Sequence, residues 1–469
     1  MKKNNNLLKF TLLLSLLILG CDKDFLDEPK PTGEVSSNVI FESKEGAESH
    51  ISGILRRFRG QYRDTETGGV YSLYYARTVK GNDIIQRPTW YLFDYDNDNR
   101  EPGYRRTSFT WDYCFYQINQ TNIFLKGINE SESISEIDKK NLEAQATTIR
   151  AFFYFQLIME FQHTYAYDTS LPGVPIYTEP TSKGNPMSTV KEVYDLIIKD
   201  LTTANQNIST DRIGKSYINK NVVNGLLARV YLVMGNWSEA ATAAKAAQSG
   251  YSLDPSSYNM GFADINNIEW IWGMPQSSDQ TAYYYTAPHA FADHNANSYF
   301  GTYINEDFVA QFSNSDVRNL FENKNRPPGD YRSYTTTKFT FKFESDMVLM
   351  RLPEMLLIES EAKARLGDEN SAAEILFGLQ KNRDPNAIRS NNSGTDLIEE
   401  ILLERRKELY AEIGVEWFDA KRLRRGITRT GNHRIMKNLN PDDNRFFLKI
   451  PQTEIDANEN IDETVNSNR

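Results

Sequence analysis

The chain has 469 residues, with 53 Lys or Arg against 63 Asp or Glu, a formal net charge of −10 at pH 7 and a pI near 5.3. An acidic balance of this kind offers no basic field to a polyanion, so nucleic acid is excluded as an expected partner. Tyr, Phe and Trp make up 12% of the residues, enough apolar area for a large core or two lobes, with a minority of rings left for loops.

At the N-terminus, Lys2, Lys3 and Lys9 precede an unbroken apolar run, Phe10 to Leu19. A membrane-spanning helix needs about 20 apolar residues, so this run is too short to span. A positive segment followed by a short apolar one reads as a secretory signal that is later removed. Leu17-Ile18-Leu19-Gly20-Cys21 resembles the lipobox of bacterial lipoproteins, whose cysteine takes a diacylglyceryl group before cleavage on its N-terminal side. On that reading residues 1–20 are a lipoprotein signal peptide and Cys21 is the lipidated first residue, carrying palmitate-type acylation. The charge then becomes −13, and Cys114 has no partner for a disulfide. Residues 21–38, polar and punctuated by Pro29, Pro31 and Gly33, read as a flexible tether.

Residues 39–469 are expected to form a single, mainly α domain. The first interruption of helical pattern is an aromatic, polar, loop-rich insertion from about 60 to 106, containing Arg87-Pro88-Thr89-Trp90-Tyr91-Leu92-Phe93. Within it, Asp94 to Asn99 alternates oxygen ligands as a calcium loop does. It lacks the glycine at the sixth place and the glutamate at the twelfth, where Asn99 and Arg105 stand, so a solvated acidic turn without metal is expected. Ile149, Phe153, Leu157 and Phe161 then repeat at helical steps. Val190, Val193, Tyr194, Ile197, Ile198 and Leu201 form one apolar helix face that starts from Ser188 or Thr189 as N-cap. Further faces run through Val222 to Met234, Met355 to Leu366 and Leu397 to Ile413.

Met234-Gly235-Asn236 and Leu366-Gly367-Asp368, each followed by Ala four residues beyond, share one logic. Glycine closes a helix in the left-handed conformation, Asn or Asp caps the next, and Ala permits close packing. This predicts degenerate tetratricopeptide-like helix pairs, interrupted rather than strictly periodic. A second loop-rich insertion, about 251 to 343, opens with Glu269-Trp270-Ile271-Trp272, whose alternation suits a short strand with both tryptophans in the core. Trp111, Trp237 and Trp417 fall on helices and are expected in the core as well.

No enzyme motif is present. Among His50, His163, His289, His294 and His433 there is no H-E-x-x-H, and no two glycines lie two or four apart, which removes G-x-G-x-x-G and G-x-S-x-G. A glycoside hydrolase needs only two carboxylates at a set separation, so it stands as an alternative on the residues alone.

Several segments together carry a family resemblance. They are Phe25-Leu26-Asp27-Glu28-Pro29 after the lipobox, Ile149-Arg150-Ala151-Phe152-Phe153-Tyr154-Phe155, Glu192 to Leu201, Arg351-Leu352-Pro353-Glu354, Glu404-Arg405-Arg406-Lys407-Glu408-Leu409 and Trp417-Phe418-Asp419-Ala420-Lys421-Arg422. In order and spacing they resemble SusD/RagB-type nutrient-binding outer-membrane lipoproteins of the Bacteroidetes. One departure is Glu412-Ile413-Gly414-Val415-Glu416, where the family often has Glu-Gly-x-Arg.

The resemblance implies a lipid-anchored protein on the cell surface, not an enzyme and without cofactors. It would capture an oligosaccharide or polysaccharide and deliver it to a SusC-like TonB-dependent transporter in the outer membrane. Peptide capture of the RagB type is the alternative. Arg150, Arg405, Arg406 and Asp419 lie beside apolar helix faces and are expected to be structural. Sugar binding calls for flat rings and planar polar groups. The candidates are therefore Arg77, Asn82, Asp83, Trp90, Tyr91 and Tyr95 in the first insertion, with Tyr284, Tyr285, His294 and Tyr299 in the second.

Overall fold

A computed structural model of the chain describes residues 40–60, 65–277, 301–339 and 344–469. The helices are α1 (Lys44–Arg56), α2 (Gly69–Thr78), α3 (Arg105–Glu130), α4 (Glu136–Phe161), α5 (Val190–Asn207), α6 (Lys220–Met234), α7 (Trp237–Ala247), α8 (Leu352–Arg365), α9 (Glu369–Arg383), α10 (Gly394–Leu409) and α11 (Val415–Arg422), with shorter helical turns between them. Strands are brief. They are β1 (Ile84–Gln86), β2 (Pro172–Pro175), β3 (Met187–Thr189), β4 (Trp270–Met274), β5 (Thr302–Ile304), β6 (Phe321–Asn323), β7 (Tyr334–Thr336) and β8 (Met347–Arg351); β1 pairs with β5 and β4 with β8, both antiparallel.

Helix pairing follows the periodic faces. The α5 face buries Val190, Val193, Tyr194, Ile197 and Leu201, and Thr189 caps it in a reciprocal box with Glu192. Gly235 and Gly367 both adopt the left-handed conformation, φ 76° and 84°, and turn α6 into α7 and α8 into α9. Asn236 and Asp368 take the N-cap positions as expected, but the Asn236 side chain makes no cap bond, while hydrogen bonds from Lys363 and then from Ser371, at the third position of α9, lower the Asp368 pKa. Although the second insertion separates the two hairpins in sequence, α7 packs on α8, so they stack as neighbouring repeats. The insertion leaves and returns along β4 and β8, which pair side by side; Trp270 and Trp272 are wholly buried there.

Two expectations change. The first insertion is not loop throughout: every residue of α2 is buried, because its Tyr71, Tyr74 and Tyr75 rings supply core area. The apolar face expected to run to Ile413 ends at Leu409, since Ala411 and Gly414 take left-handed backbone. At Gly414 a Cβ would lie 2.3 Å from the Arg77 Cβ, so glycine lets the α10–α11 turn press against α2.

The arginines expected to be structural are so. Arg150 grips Asp200 at 2.7 and 2.8 Å, Arg405 bonds Asp419 at 3.0 Å, and Arg406 pairs with Asp83. The largest ionic cluster centres on Glu408 of α10. Its carboxylate accepts from Arg318 at 3.1 Å, from Arg351 at 2.9 Å and from Arg383 at 2.9 and 3.1 Å. Glu269 at the base of the second insertion also takes Arg383 (2.7 Å) and Arg351 (3.3 Å). Burial alone raises the Glu408 pKa, but Arg383, Arg351 and Arg318 outweigh it and hold the carboxyl well below its usual range.

Glu408→Gln leaves these buried guanidinium groups short of one charge and is expected to destabilise the fold by roughly 3–5 kcal/mol in chemical denaturation. Glu399→Gln, at an exposed pair with Arg425, is expected to stay within about 1 kcal/mol of wild type.

Candidate functional site

The six candidates of the first insertion are for the most part committed to the interior. Arg77 pairs with Glu160 of α4, and its guanidinium lies 5.6 Å from the Trp417 ring. Asp83 is buried against Arg406. Asn82 is half-buried; its Oδ1 accepts from the Thr430 amide at 2.8 Å and its Nδ2 donates to Thr430 Oγ1 at 3.2 Å. Tyr91 and Tyr95 are 1% and 0% exposed. The Tyr95 hydroxyl lies 2.8 Å from His433 Nδ1, and His433 Nε2 lies 2.8 Å from the Asn82 carbonyl. A carbonyl only accepts, so Nε2 carries a proton, and in the neutral ring Nδ1 accepts from the phenol. Burial holds the imidazole pKa down to about 4.

Asp83 thus ties the insertion to α10, Arg77 ties it to α4 and α11, and Asn82 and Tyr95 tie it to the 430–433 loop, while Tyr91 packs against Tyr75 and Arg106 beside it. Trp90 differs: it is half-buried beside the exposed Arg87. Tyr284, Tyr285, His294, Tyr299 and Cys21 lie outside the described residues.

Pairing of β1 with β5 sets Ile84 opposite Ile304 and Gln86 opposite Thr302, so Arg87 to Trp90 and Tyr303 share one edge of the molecule. Tyr303 meets Tyr331 edge to face at 5.6 Å. Arg332 lies 5.6 Å over the Tyr331 ring and is fixed by Asp330 at 2.6 and 2.9 Å.

On the other flank of the Trp90–Phe93 corner, a groove of about 770 Å³ runs along α3. Phe93, Tyr104 and Tyr116 border it at 57%, 45% and 39% exposure. Phe109 and Tyr113, one helical turn apart, stack at 5.4 Å with 10° between their planes and form its wall. Glu66, Asp112, Ser108 and Asn99 supply oxygen and amide groups along the rim. Glu66 also receives the Tyr91 amide at 2.6 Å, which ties the rim to the corner. Flat rings beside hydroxyl-binding groups suit a ligand with C–H faces and hydroxyl edges.

Sequence reasoning did not single out Phe93, Tyr104 or Tyr116. The signal was there for Tyr116. It lies on the α3 stripe of Arg105, Ser108 and Asp112, and an aromatic residue on a polar stripe marks a ring that faces outward. The acidic turn is only partly solvated: Asp98 stays exposed, Asp96 is half-buried and Asp94 is buried. Asp94 is buried against Arg106 at 3.0 Å, Asp96 meets Arg434 at 3.2 Å and Asp98 meets Lys437 at 3.1 Å. Among the described residues no cluster of three metal-ligating side chains occurs, and no helix is long and apolar enough to cross a membrane.

Stacked helix pairs that carry loop-borne rings define a tetratricopeptide-like binding scaffold, and comparison with known proteins places it. Residues 24–232 match a family model described as "Starch-binding associating with outer membrane", and residues 266–466 match that of the SusD family. The SusD-like protein P38 of Formosa agariphila is 23% identical over 91% of this chain and 93% of its own. A SusD-like carbohydrate binding protein from Bacteroides vulgatus superposes with a TM-score of 0.82 at 26% identity, covering 89% of this chain and 97% of that one. A SusD superfamily protein from Bacteroides thetaiotaomicron gives 0.79 at 23% identity, covering 89% and 99%. The chain belongs to the SusD/RagB family.

The buried histidines set an acid limit. Burial lowers the pKa of His163 and of His433 from 6.5 to about 4, so the unfolded chain binds more protons between those values. Their contribution to stability is expected to be full above pH 6.5 and to be lost as pH drops toward 4, opposed between about 7 and 4.5 by Glu416, whose raised pKa has the opposite sign. Denaturation midpoints measured across that range are expected to decline less steeply in His433→Gln.

Proposed function

We propose that the chain is a surface lipoprotein that captures an oligosaccharide on the ring-bordered face of the first insertion and passes it, chemically unchanged, to a SusC-like TonB-dependent transporter. The observation that carries this reading is the groove along α3, where Phe93, Tyr104 and Tyr116 keep ring surface open beside a polar rim in a chain of the SusD/RagB family. Soluble proteins seldom leave such rings grouped on the surface without a ligand for them.

In this reading Trp90 and Tyr331, the latter backed by the buried Tyr303, extend the face on the opposite flank, and Tyr284, Tyr285, His294 and Tyr299 of the second insertion belong to the same proposal. Arg77, Asn82, Asp83, Tyr91 and Tyr95 hold the face in position from behind. Cys21 carries the lipid that keeps the protein at the outer membrane, and residues 21–38 let the body stand off from it.

Calorimetry of the soluble chain from Asp22 against panels of glycans and peptides tests the ligand class. A glycan is expected to bind without release of new reducing ends; binding of peptides alone, or turnover, would contradict the proposal. Phe93→Ala with Tyr104→Ala removes exposed rings only. The pair is expected to weaken that glycan about tenfold or more, close to 1.4 kcal/mol, with little change in melting temperature. Cys21→Ser is expected to release the protein from the membrane fraction; a variant that stays attached would remove the lipid anchor from the account.

A further inference from the structure

Tyr116 belongs to two grooves. Beyond it, between α1 and α3, lies a second concavity of about 390 Å³ bordered by Ile40, His50, Gly53, Ile54, Gln117 and Gln120. Three features suggest that it is built for an occupant. Its walls are largely apolar, yet two polar atoms there, Gln117 Oε1 and His50 Nδ1, are buried without a hydrogen-bond partner. Gln117 is itself 0% exposed, and its Nε2 donates to the Ile54 carbonyl at 3.4 Å, which leaves Oε1 as an acceptor awaiting a donor. His50 is packed against Phe41 and Phe124 at 5.8 and 5.5 Å, and burial lowers its pKa, favouring the neutral ring. Finally, Gly53 lies within α1 at the groove, in a helical position that disfavours glycine, and a Cβ there would meet nothing within 4 Å.

The two grooves share one helix. Arg105, Ser108, Asp112, Tyr116 and Gln120 follow one another at three- and four-residue steps along α3 and line one groove or the other. At 1.5 Å per residue that stripe is roughly 22 Å long, far longer than a single sugar ring. Tyr116 stands at the junction with Arg57 5.8 Å over its ring.

We propose that the groove between α1 and α3 is a second sugar subsite, and that the ligand is a linear oligosaccharide lying along α3 across Tyr116. A hydroxyl of its far unit donates to Gln117 Oε1, and the C–H face of that unit rests on the apolar wall. The inference depends on the first groove being a sugar site, and it adds ligand length to that reading. A ligand confined to the first groove gains nothing from units beyond those that groove holds; one that crosses Tyr116 does.

The experiment uses the soluble chain from Asp22 and paired dimers and hexamers of α-1,4-, β-1,4- and β-1,3-linked glucose, measured by calorimetry. For the linkage that binds, the hexamer is expected to bind about tenfold or more tighter than the dimer. Gly53→Trp, at an exposed helix position, fills the second groove. It is expected to reduce hexamer affinity to the dimer value and to leave the dimer unchanged, while Gly53→Ala keeps hexamer affinity within about twofold. Circular dichroism of both variants checks that the fold is intact.

Equal affinity for the two lengths, or a Gly53→Trp variant that retains the hexamer advantage, overturns the second subsite and leaves the first groove standing. A length advantage that appears only when the chain before Ile40 is removed assigns the groove to that segment and also overturns the proposal. Failure of every glucan to bind removes the first-groove reading for these sugars, and this inference falls with it.

Discussion

Burying carboxylates and guanidinium groups is tolerable only where each charge meets its opposite at hydrogen-bonding distance, and around Glu408 that condition involves much of the chain at once. Arg318 comes from the second insertion, Arg351 from the end of β8, Arg383 from the end of α9, and Glu404 and Glu408 from α10. Glu269 lies just before β4, and Glu412 in the turn after α10 receives Arg351 at 2.7 and 2.9 Å and Lys338 at 2.7 Å. A shift of any one segment leaves a buried charge without its partner. The cluster thus selects one placement of the insertion relative to the helices, even though well-packed apolar residues of similar volume stabilise a core equally well.

The ring-bordered face depends on that placement. β5 follows the long excursion from β4 and pairs with β1, and β1 leads directly into Trp90 and the corner that ends in Phe93. On the other side, Asp83 with Arg406, and His433 between Tyr95 and Asn82, hold the same corner from within. Glu416 reinforces it by accepting the Asn82 and Asp83 amides at 2.6 and 3.0 Å. Its carboxylate stands just where the chain departs from the family pattern. Burial, then the nearby Asp83 charge, raise its pKa to about 7 against the pull of Arg406. The exposed rings are thereby carried on a preorganised frame, which reduces the ordering cost of binding.

Periodicity exposed the scaffold, because an amphipathic helix writes its buried face into the sequence at fixed steps. Val190 to Leu201 with Thr189 and Glu192, and the glycines at 235 and 367, were legible for that reason. Trp270 and Trp272 were legible as core through strand alternation. The end of α10 was not, since Ile413 continues the apolar rhythm while the backbone has already turned at Ala411. Within the insertions the distinction between inner and outer rings was invisible. Tyr95 is buried by His433, Arg77 by Glu160 and Asp83 by Arg406, partners remote in sequence and brought together only by the fold. Phe93, two residues from the buried Tyr91 and Tyr95, faces outward because a short helical turn, Leu92–Tyr95, rotates it away from them.

A crystal structure of the soluble chain with the tightest-binding glycan tests the central claim most directly. The account requires an intact sugar chain lying against Phe93, Tyr104 and Tyr116 along α3, with the frame around Glu408 unchanged from the unliganded protein. A glycan seated away from these rings, or found cleaved, would contradict it.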